Sequence, residues 1–373
     1  MPDTENPLAN SRFPRPCDAS GRGSRNIRIA VAGVGYIGQA HMDVARRCAN
    51  CTLSAIVDPA PAAEAVASQA GVPLYKSLDE LFDKDRPDGV VLATPNRLHV
   101  EHAMRCIAAD MPTLLEKPIA PTVKEAEALV RAVDETRAKV LIGHHRAHSP
   151  IMARARQLID EGRLGPLVAV MGSAVFFKPD RYFADAPWRR EAGGGPILLN
   201  MIHEVHNLRM LCGDIVAVQA LSSNATRGFP VEDTVAINLR FANGALGTFM
   251  LSDTAAGARS WEQTSQENKA YPTYPDEDCY VIAGTFGSLS VPTMRLKTYR
   301  TAADRSWWKP FDVSVAEITR DDPLARQIEH FAQVIRGEAA PIVSARDGLQ
   351  NLRVTEAIVE AARSGSVVST AFA

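Results

Sequence analysis

Residues 27–38 read IRIAVAGVGYIG, and this stretch decides the fold. The apolar run Ile27–Ala32 predicts a buried strand, glycines in the pattern G-x-G-x-x-G close it, and Gln39–Cys48 has a helical pattern. In such a unit the glycines permit a tight turn, the approach of a pyrophosphate and close helix–strand packing, while the helix N-terminus attracts the phosphates. The stretch therefore predicts a dinucleotide-binding turn. Its residues are Gly33, Gly35 and Gly38, with Tyr36 and Ile37 between them.

A carboxylate supports this interpretation. Asp58 follows the next predicted strand, Leu53–Val57, 20 residues beyond Gly38. A carboxylate at that point can accept hydrogen bonds from the adenosine ribose hydroxyls. Its charge would also repel a 2′-phosphate, and residues 58–66 (DPAPAAEAV) contain no Lys or Arg to neutralise one. The sequence therefore predicts NAD(H) rather than NADP(H) as the cofactor.

Strand and helix patterns alternate from Ile27 to about residue 147, which predicts a parallel sheet covered by helices on both faces. After Pro150 longer alternating segments predominate, and Asn243-Gly244 between two of them suits a type I′ hairpin turn. The second part is therefore expected to hold an antiparallel or mixed sheet with a few helices. The predicted organisation is a disordered leader at 1–26, a cofactor domain at 27–147 and a substrate domain at 148–373.

Composition excludes several classes of protein. Lys and Arg number 41 against 43 Asp and Glu, so the net charge of −2 favours neither nucleic acid nor an anionic membrane as partner. The sequence shows neither an apolar run of the ~20 residues that a membrane helix needs nor the apolar core of a signal peptide. The six cysteines are expected to be reduced thiols, because they are scattered over a long sequence that shows no signal peptide. The C-x-x-C at Cys48 and Cys51 lacks the second pair that zinc would require. A cytoplasmic enzyme or binding protein with a small-molecule ligand is expected.

Two loops that follow predicted strands carry polar residues. Thr94-Pro95-Asn96 with His99 follows one strand, and Glu116-Lys117-Pro118 follows the next. Open parallel sheets bind ligands at the carboxyl ends of their strands. Lysine directly before proline predicts a side chain presented from an extended or cis turn. A solvated surface lysine is the alternative, but the apolar residues 113–115 before it favour a position at the cofactor crevice.

A third group of candidates follows a triple glycine. Gly193-Gly194-Gly195 leads into an apolar helix that carries Asn200, His203, Glu204 and His206. At helical spacing, Asn200, His203 and His206–Asn207 lie near one another on one face. A histidine on such a helix is more often a core residue, but the polar stripe beside a glycine turn favours a site. The spelling H-E-x-H lacks the H-E-x-x-H spacing of zinc proteases, so no metal is predicted. Upstream, Tyr182 and Arg189 are weaker substrate-binding candidates, since Arg189 could equally form an interdomain salt bridge.

These motifs together resemble the glucose–fructose oxidoreductase/inositol dehydrogenase (Gfo/Idh/MocA-type) family. The resemblance runs from Ile27 to about Gly365, through VAGVGYIGQAH, ATPNRLH, LLEKPIA, GHHRAHSP, WRREAGGGPILLNMIHEV and GTFGSLSV. It implies an N-terminal Rossmann domain with a parallel sheet and a C-terminal α+β domain with a large, mostly antiparallel open sheet. It also implies hydride exchange between a nicotinamide and a carbinol of a sugar, cyclitol or polyol, in a homodimer or homotetramer.

The resemblance also implies roles for the candidate residues. Lys117 corresponds to the family lysine that hydrogen-bonds the reacting oxygen, and His203 to the histidine that acts as general acid or base. Glu116 and the Thr94–Asn96 loop would hold the nicotinamide ribose. Where many relatives carry Asp, this chain has Leu199 followed by Asn200, which could orient a substrate but cannot take a proton. His206 stands where another Asp is common.

Two alternatives remain open at this point. Within the same family, Arg189 acting on a carboxylate would favour oxidation of a cis-dihydrodiol of an aromatic acid. Outside redox chemistry, the missing Asp allows an NAD-binding sensor without turnover. Retention of both Lys117 and His203 argues for an enzyme, because a binding protein need not keep both.

Overall fold

In the computed structural model, which describes residues 26–370, the chain divides into two units. The first contains residues 26–143 and 327–346, and the second contains residues 144–326 and 347–370. The predicted leader lies outside the described residues except for Asn26. None of the helices within 26–370 combines the length and the apolar character that a membrane crossing requires.

The first unit contains a six-stranded parallel sheet in the order β3-β2-β1-β4-β5-β6. Its strands are β1 (Ile27–Ala32), β2 (Cys51–Val57), β3 (Leu74–Tyr75), β4 (Gly89–Leu92), β5 (Thr113–Glu116) and β6 (Val140–Gly143). The helices between them are α1 (Tyr36–Arg47), α2 (Ala63–Ala70), α3 (Leu78–Lys84), α4 (His99–Ala108) and α5 (Val123–Thr136). The predicted Rossmann-type fold is confirmed. The strand order reverses between β1 and β4, which is where this fold binds ligands.

Three strands of this parallel sheet are buried on both faces. Every residue of β4, β5 and β6 is buried, as a sheet covered by helices on both sides requires. Side-chain caps set where two helices begin: the hydroxyls of Ser77 and Thr122 accept hydrogen bonds from backbone N–H groups three residues later. These local signals fix the loops at the carboxyl ends of the strands.

The second unit contains a ten-stranded sheet in the order β15-β14-β13-β12-β7-β10-β9-β8-β16, with β11 paired to β7. Its strands are β7 (Leu167–Phe177), β8 (Ile215–Ser223), β9 (Thr234–Phe241), β10 (Leu246–Ser252), β11 (Thr254–Arg259), β12 (Tyr280–Gly284), β13 (Gly287–Val291), β14 (Arg295–Thr298), β15 (Asp312–Val315) and β16 (Val368–Ser369). Only the β7–β10 pair is parallel among these described strands. The prediction of a mostly antiparallel sheet is confirmed.

One face of this sheet is covered and the other is open. Residues of β9 alternate between buried and exposed, as in an antiparallel sheet with one solvated face. The core on the buried face includes residues of α6 (Pro150–Asp160), α8 (Ile202–Cys212), α9 (Trp261–Thr264) and α11 (Ala345–Ser364). The other helices that follow the first sheet are α7 (Asp180–Ala184) and α10 (Pro323–Arg336). Ile151, Leu208 and Val354 of α6, α8 and α11 join its hydrophobic core. The open face exposes Met171 and Leu246.

The turn between β9 and β10 corrects one prediction. The hairpin forms, but type I′ is wrong, because such a turn needs positive φ at both central residues and here Gly244 has φ +89 while Asn243 does not. Instead, the N–H of Gly244 donates to the carbonyl of Phe241 at 3.0 Å. The Asn243 side chain accepts from the N–H of Ala245 at 3.1 Å, which stabilises a longer turn.

Residues 327–346 pack with the first unit, although they follow the second sheet in the chain. The N–H of Ile142 in β6 donates to the carbonyl of Val343 at 3.0 Å, and Lys139 Nζ donates to the carbonyl of Ile335 at 2.8 Å. Gly89 in β4 leaves room for Phe331 and Ile335, because a Cβ at Gly89 would lie 2.6 Å from Ile335 Cδ1. The C-terminal half of α10 therefore covers part of the parallel sheet.

Candidate functional site

The three glycines of the first turn have different surroundings. Gly33 has φ +93, and a Cβ there would lie 2.5 Å from the carbonyl oxygen of Ala93 at the end of β4. A Cβ at Gly38 would lie 1.9 Å from the carbonyl oxygen of Gly33. Gly35 has nothing within 4 Å of the Cβ position. Gly33 and Gly38 therefore permit close packing, while Gly35 leaves open space beside the N-terminus of α1.

This open space fits the pyrophosphate of a dinucleotide. Gly35 is the N-cap of α1 and makes no side-chain cap, so the helix presents backbone N–H groups and the positive end of its dipole. No acidic residue lies in the first turn of α1 to repel a phosphate. Tyr36 is 85% exposed and Ile37 is half-buried, so both predicted residues lie at the surface of this turn.

Asp58 connects the second strand to the glycine turn. Its Oδ2 accepts from the N–H of Val34 at 3.0 Å, and its Oδ1 accepts from the N–H of Ala60 at 2.9 Å. These bonds fix the carboxylate beside the turn. Each carboxylate oxygen has further lone pairs, which remain able to accept from ribose hydroxyls.

His99 connects the two predicted loops of the first unit. Its Nδ1 lies 2.6 Å from the carbonyl oxygen of Pro118, and its Nε2 lies 2.9 Å from the carbonyl oxygen of Thr94. Burial lowers the pKa of His99, although both carbonyls raise it. His99 thus positions the two loops rather than facing a ligand. Pro95 and Asn96 at the tip of the first loop are exposed.

Glu116 is buried below the lysine and has a partner that the sequence did not identify. Nε2 of His41, on α1, lies 2.7 Å from Glu116 Oε1, and the N–H of Lys117 donates to Glu116 Oε2 at 3.1 Å. A Cβ at Gly143 would lie 2.9 Å from Glu116, so glycine in β6 makes room for it. Glu116 therefore fixes the backbone of the half-buried Lys117, and the Lys117–Pro118 bond is cis. The sequence feature that could have indicated this partner is His41 itself, the last residue of the segment VAGVGYIGQAH.

In the second unit, the triple glycine permits two close approaches. A Cβ at Gly194 would lie 2.5 Å from the carbonyl oxygen of Trp188, and one at Gly195 would lie 2.3 Å from Glu232 Oε1. Glu232 Oε1 accepts a hydrogen bond from the N–H of Ile197 at 2.9 Å. Burial raises the pKa of the Glu232 carboxyl group. The helix then begins with a π-helical turn, Ile197–Met201, a local irregularity that often occurs at functional sites.

Asn200 lies in this π-helical turn and has a cationic partner that sequence reasoning missed. Lys178, just beyond β7, donates from Nζ to Asn200 Oδ1 at 2.7 Å and pairs with Asp253 Oδ2 at 3.2 Å. Arg227 Nε donates to the other oxygen of Asp253 at 3.1 Å. Lys178 is 8% exposed, and burial lowers its pKa while Asp253 raises it. The pair leaves the amide group of Asn200 oriented with its oxygen toward Lys178.

Tyr182 and Arg189 lie beside this pair. The Arg189 guanidinium carbon is 3.8 Å from the centroid of the Tyr182 ring, and Lys178 Nζ is 4.9 Å from it. Arg189 also donates to the carbonyl oxygen of Tyr182 at 2.7 Å. Burial raises the pKa of Tyr182. The structure thus groups Lys178, Asn200, Tyr182 and Arg189, with Arg189 already stacked on an aromatic ring.

His203 lies in a group of histidine rings. Its centroid is 6.0 Å from that of His144 and 5.5 Å from that of His145, both edge-on. His206 stacks on His144 at 4.6 Å instead. His203 is half-buried at the start of α8, whereas His206 is buried.

Glu204 points into a buried network rather than toward a ligand. It accepts from Arg146 Nη1 at 2.6 Å and from the hydroxyl of Tyr280. Arg146 also bonds Glu262, and the two glutamates raise the pKa of Arg146 against the effect of its burial. Asn207 donates to the Tyr280 hydroxyl at 2.9 Å. The network anchors α8, the helix on which His203 lies.

Across residues 26–370, no three His, Cys, Asp or Glu side chains form a group that could hold a metal ion.

Comparison with known proteins shows the family to which both units belong. The oxidoreductase family with an NAD-binding Rossmann fold, GFO_IDH_MocA, matches residues 27–144, and the GFO/IDH/MocA C-terminal domain matches residues 152–290. The chain is similar to a 1,5-anhydro-D-fructose reductase of Ensifer adhaerens, with 30% identity over 78% of this chain and 81% of the relative. It is similar to an inositol 2-dehydrogenase of Rhizobium meliloti strain 1021, with 25% identity over 92% of this chain and 99% of the relative.

A solved structure shows the same fold. The WlbA dehydrogenase of Bordetella pertussis, in complex with NADH and UDP-GlcNAcA, matches with a TM-score of 0.73 and 25% identity. The match covers 92% of this chain and 99% of that one.

Proposed function

The chain belongs to the Gfo/Idh/MocA family of oxidoreductases, which bind NAD through a Rossmann fold, and from this premise we propose its reaction and its catalytic residues. We propose that it transfers hydride between a nicotinamide and a carbinol or carbonyl of a sugar, cyclitol or related polyol. The observation that carries this proposal is the open space at Gly35 beside the fixed carboxylate of Asp58. The inositol and anhydrofructose enzymes among its relatives support the substrate class.

In this proposal Lys117 and His203 are the catalytic residues. NAD accepts or supplies the hydride when it is bound. The ammonium group of Lys117 stabilises the negative charge that develops on the reacting oxygen, which favours the alkoxide-like transition state. His203 accepts the hydroxyl proton in oxidation and returns it in reduction. General acid–base catalysis of this kind increases the rate by about 10²–10⁴-fold.

The remaining candidates bind rather than react. Asn200, whose oxygen is held by Lys178, directs its N–H groups to an oxygen of the substrate, and Tyr182, Arg189 and His206 complete the substrate-binding set. The turn at Gly33, Gly35 and Gly38 with Tyr36 and Ile37 binds the pyrophosphate. The nicotinamide half is held by the loop Thr94-Pro95-Asn96 and by Glu116 and Lys117. His99 connects these two segments through the carbonyl oxygens of Thr94 and Pro118.

The proposed cofactor preference is NAD over NADP. Asp58 carries a negative charge where a 2′-phosphate would lie, and relatives in this family differ in the cofactor they use. Absence of Lys and Arg from residues 58–66 supports the preference.

The direct test is a substrate panel. Purified protein with NAD⁺ is mixed separately with inositols, aldoses, polyols, aldonates and a cis-dihydrodiol of benzoic acid, and NADH formation is followed by absorbance. Turnover of a sugar or cyclitol is expected, and K117A should reduce it strongly. Turnover of the dihydrodiol alone would favour the aromatic-acid alternative. NADH binding without turnover of any compound, in either direction, would contradict the enzyme proposal.

We also propose a homodimer or homotetramer located in the cytoplasm. The open face of the second sheet exposes Val168, Met171, Leu246 and Met250, apolar side chains that a second copy could cover. The five described cysteines are free thiols, as in a reducing compartment. Light scattering on the eluting protein and immunoblots of cell fractions test these two proposals.

A further inference from the structure

The amide group of Asn351, on α11, has an orientation that its partners determine. Arg209 Nη1 donates to Asn351 Oδ1 at 2.5 Å and to the carbonyl oxygen of Asp347 at 3.2 Å. A guanidinium group only donates hydrogen bonds, so the atom facing Arg209 must be the amide oxygen. The amide nitrogen therefore faces the opposite side, and Asn351 is fully buried there.

The amide nitrogen contacts two histidine rings. Asn351 Nδ2 lies 3.2 Å from His144 Nε2 and 3.0 Å from His206 Nδ1. An amide NH₂ group has two hydrogens and no lone pair to offer, so each facing ring nitrogen must carry a lone pair rather than a proton. The partners thus specify two tautomers: His144 is protonated at Nδ1, and His206 is protonated at Nε2.

The surroundings of His206 keep it neutral. Burial lowers the pKa of His206 to about 4, and the charges of Arg209 and Arg146 act in the same direction. The charge of Asp347 acts in the opposite direction. The ring is stacked on His144, itself buried, with 21° between the two planes. Nε2 of His206 is buried and makes no hydrogen bond within residues 26–370.

We propose that Arg209 and Asn351 are positioning residues that hold His144 and His206 as neutral imidazoles of fixed tautomer. The two rings then add no cation beside His203, and proton exchange with substrate is left to His203. The tautomers stand on the geometry alone, whereas their use in catalysis rests on the proposed function.

Nitrogen NMR of the histidine rings tests the tautomers without a substrate. Protein labelled with ¹⁵N-histidine gives separate ring signals for protonated and lone-pair nitrogens, and H144Q and H206Q assign them. We expect a lone pair on His206 Nδ1 and on His144 Nε2, unchanged from pH 8 to pH 5.5. A protonated Nδ1 in His206, or a doubly protonated ring near neutral pH, would overturn the inference.

N351D reverses the requirement at this position. A carboxylate accepts rather than donates, so each histidine facing it must present an N–H, and His206 is expected to become protonated at Nδ1. N351L removes the partner, and the fixed tautomers should give way to mixed or averaged signals. Q350A serves as the matched control, because the side-chain amide of Gln350 donates to the carbonyl oxygen of Thr370 rather than to a histidine. If N351D fails to fold, R209M frees the Asn351 amide to rotate and should likewise replace the fixed tautomers by mixed signals.

Kinetics then separate the two parts of the inference. With a substrate from the panel, N351D is expected to lower kcat by about 10-fold or more, with NADH affinity unchanged and the pH profile of kcat shifted. Altered ring signals with an unchanged profile would confine the role of Asn351 to structure and overturn its part in catalysis. If no substrate is found, the proposed function fails while the NMR measurement still decides the tautomers.

Discussion

Lys178 Nζ lies 2.7 Å from Asn200 Oδ1, so a buried ammonium group determines which way a candidate substrate-binding amide faces. The ammonium group of Lys178 also lies 3.2 Å from Asp253 Oδ2. Arg227 Nε in turn lies 3.1 Å from Asp253 Oδ1 and so holds this carboxylate in place. On this helix, where the family resemblance implies a carboxylate, the chain therefore has an amide oriented by a cation. Asn200 can donate to a substrate oxygen but cannot carry a proton.

Replacement of Lys178 should impair substrate binding. K178M keeps most of the apolar stem but removes the donor, so the Asn200 amide is free to rotate and kcat/KM should fall by about 10–100-fold, as for loss of a charged hydrogen bond. NADH binding should persist, because Lys178 belongs to the second unit. K297M, at an exposed lysine of the same unit, is the control. Equal kcat/KM values in the two variants would contradict the role of Lys178.

Removal of the Asp58 charge should change cofactor selectivity. D58N keeps the side-chain size but removes the charge that would repel a 2′-phosphate and weakens acceptance from ribose hydroxyls. Loss of one charged hydrogen bond costs about 1.5–3 kcal/mol, so the ratio of kcat/KM for NAD⁺ to that for NADP⁺ should fall by about 10–100-fold. Initial rates with each cofactor measure this ratio. Equal or better use of NADP⁺ by the unmodified protein would overturn the preference.

The cofactor half of the site could be predicted from sequence because its signals are local. Gly33, Gly35 and Gly38 lie within six residues, and each meets the steric condition that the motif implies. Element boundaries differ from the prediction: α1 begins at Tyr36 rather than Gln39, because Gly38 inside the helix resembles a helix breaker in the sequence. The two-residue strand β3 carries no periodic pattern and was missed.

The substrate half depends on contacts that no local pattern shows. Lys178 is 22 residues from Asn200 and 75 from Asp253, and its sequence signal is a single lysine at the end of a strand. The predicted polar stripe on the helix also divides. Asn200, in the π-helical turn, contacts Lys178, while His206 contacts Asn351 and His144. Only the tertiary fold brings α11 to these histidines.

Replacement of His203 should remove turnover while leaving the cofactor half intact. H203A or H203Q lacks a group that can accept the hydroxyl proton, so kcat should fall by about 10²–10⁴-fold. NADH fluorescence titration should give an unchanged Kd, because the proposed cofactor-binding residues lie in the first unit. A variant with more than about a tenth of the original rate would contradict the assignment.

A methyl group at Gly195 should destabilise the substrate unit through Glu232. The Cβ of G195A would lie 2.3–2.6 Å from the Glu232 carboxyl group, which also accepts from the N–H of Ile197. Forced displacement in a packed region costs about 1–3 kcal/mol. The free energy of unfolding should fall by that amount, and E232A in the same chain should recover part of it. Additive losses in the double variant would show that Glu232 is not the group displaced.

Glu267 should make stability depend on pH near neutrality. Its carboxyl group accepts from the hydroxyl of Ser149 at 2.6 Å and from Trp261 Nε1 at 3.1 Å. Burial raises its pKa from 4.5 to about 7, against the lowering effect of these bonds and of the charges on Arg146 and Arg320. The folded protein therefore binds this proton more tightly than the unfolded chain does. The resulting stabilisation is complete below pH 4.5 and is lost as the pH rises through about 7.

E267Q, which stays neutral at every pH, isolates this effect. Relative to the unmodified protein, its free energy of unfolding should rise between pH 5 and pH 8 by on the order of 1–3 kcal/mol, a value reduced for the partial exposure of the side chain. Denaturant titrations at a series of pH values measure the difference, with E277Q as the control at an exposed carboxylate. A difference that stays constant between pH 5 and pH 8 would show that Glu267 ionises in the folded state as it does in the unfolded chain.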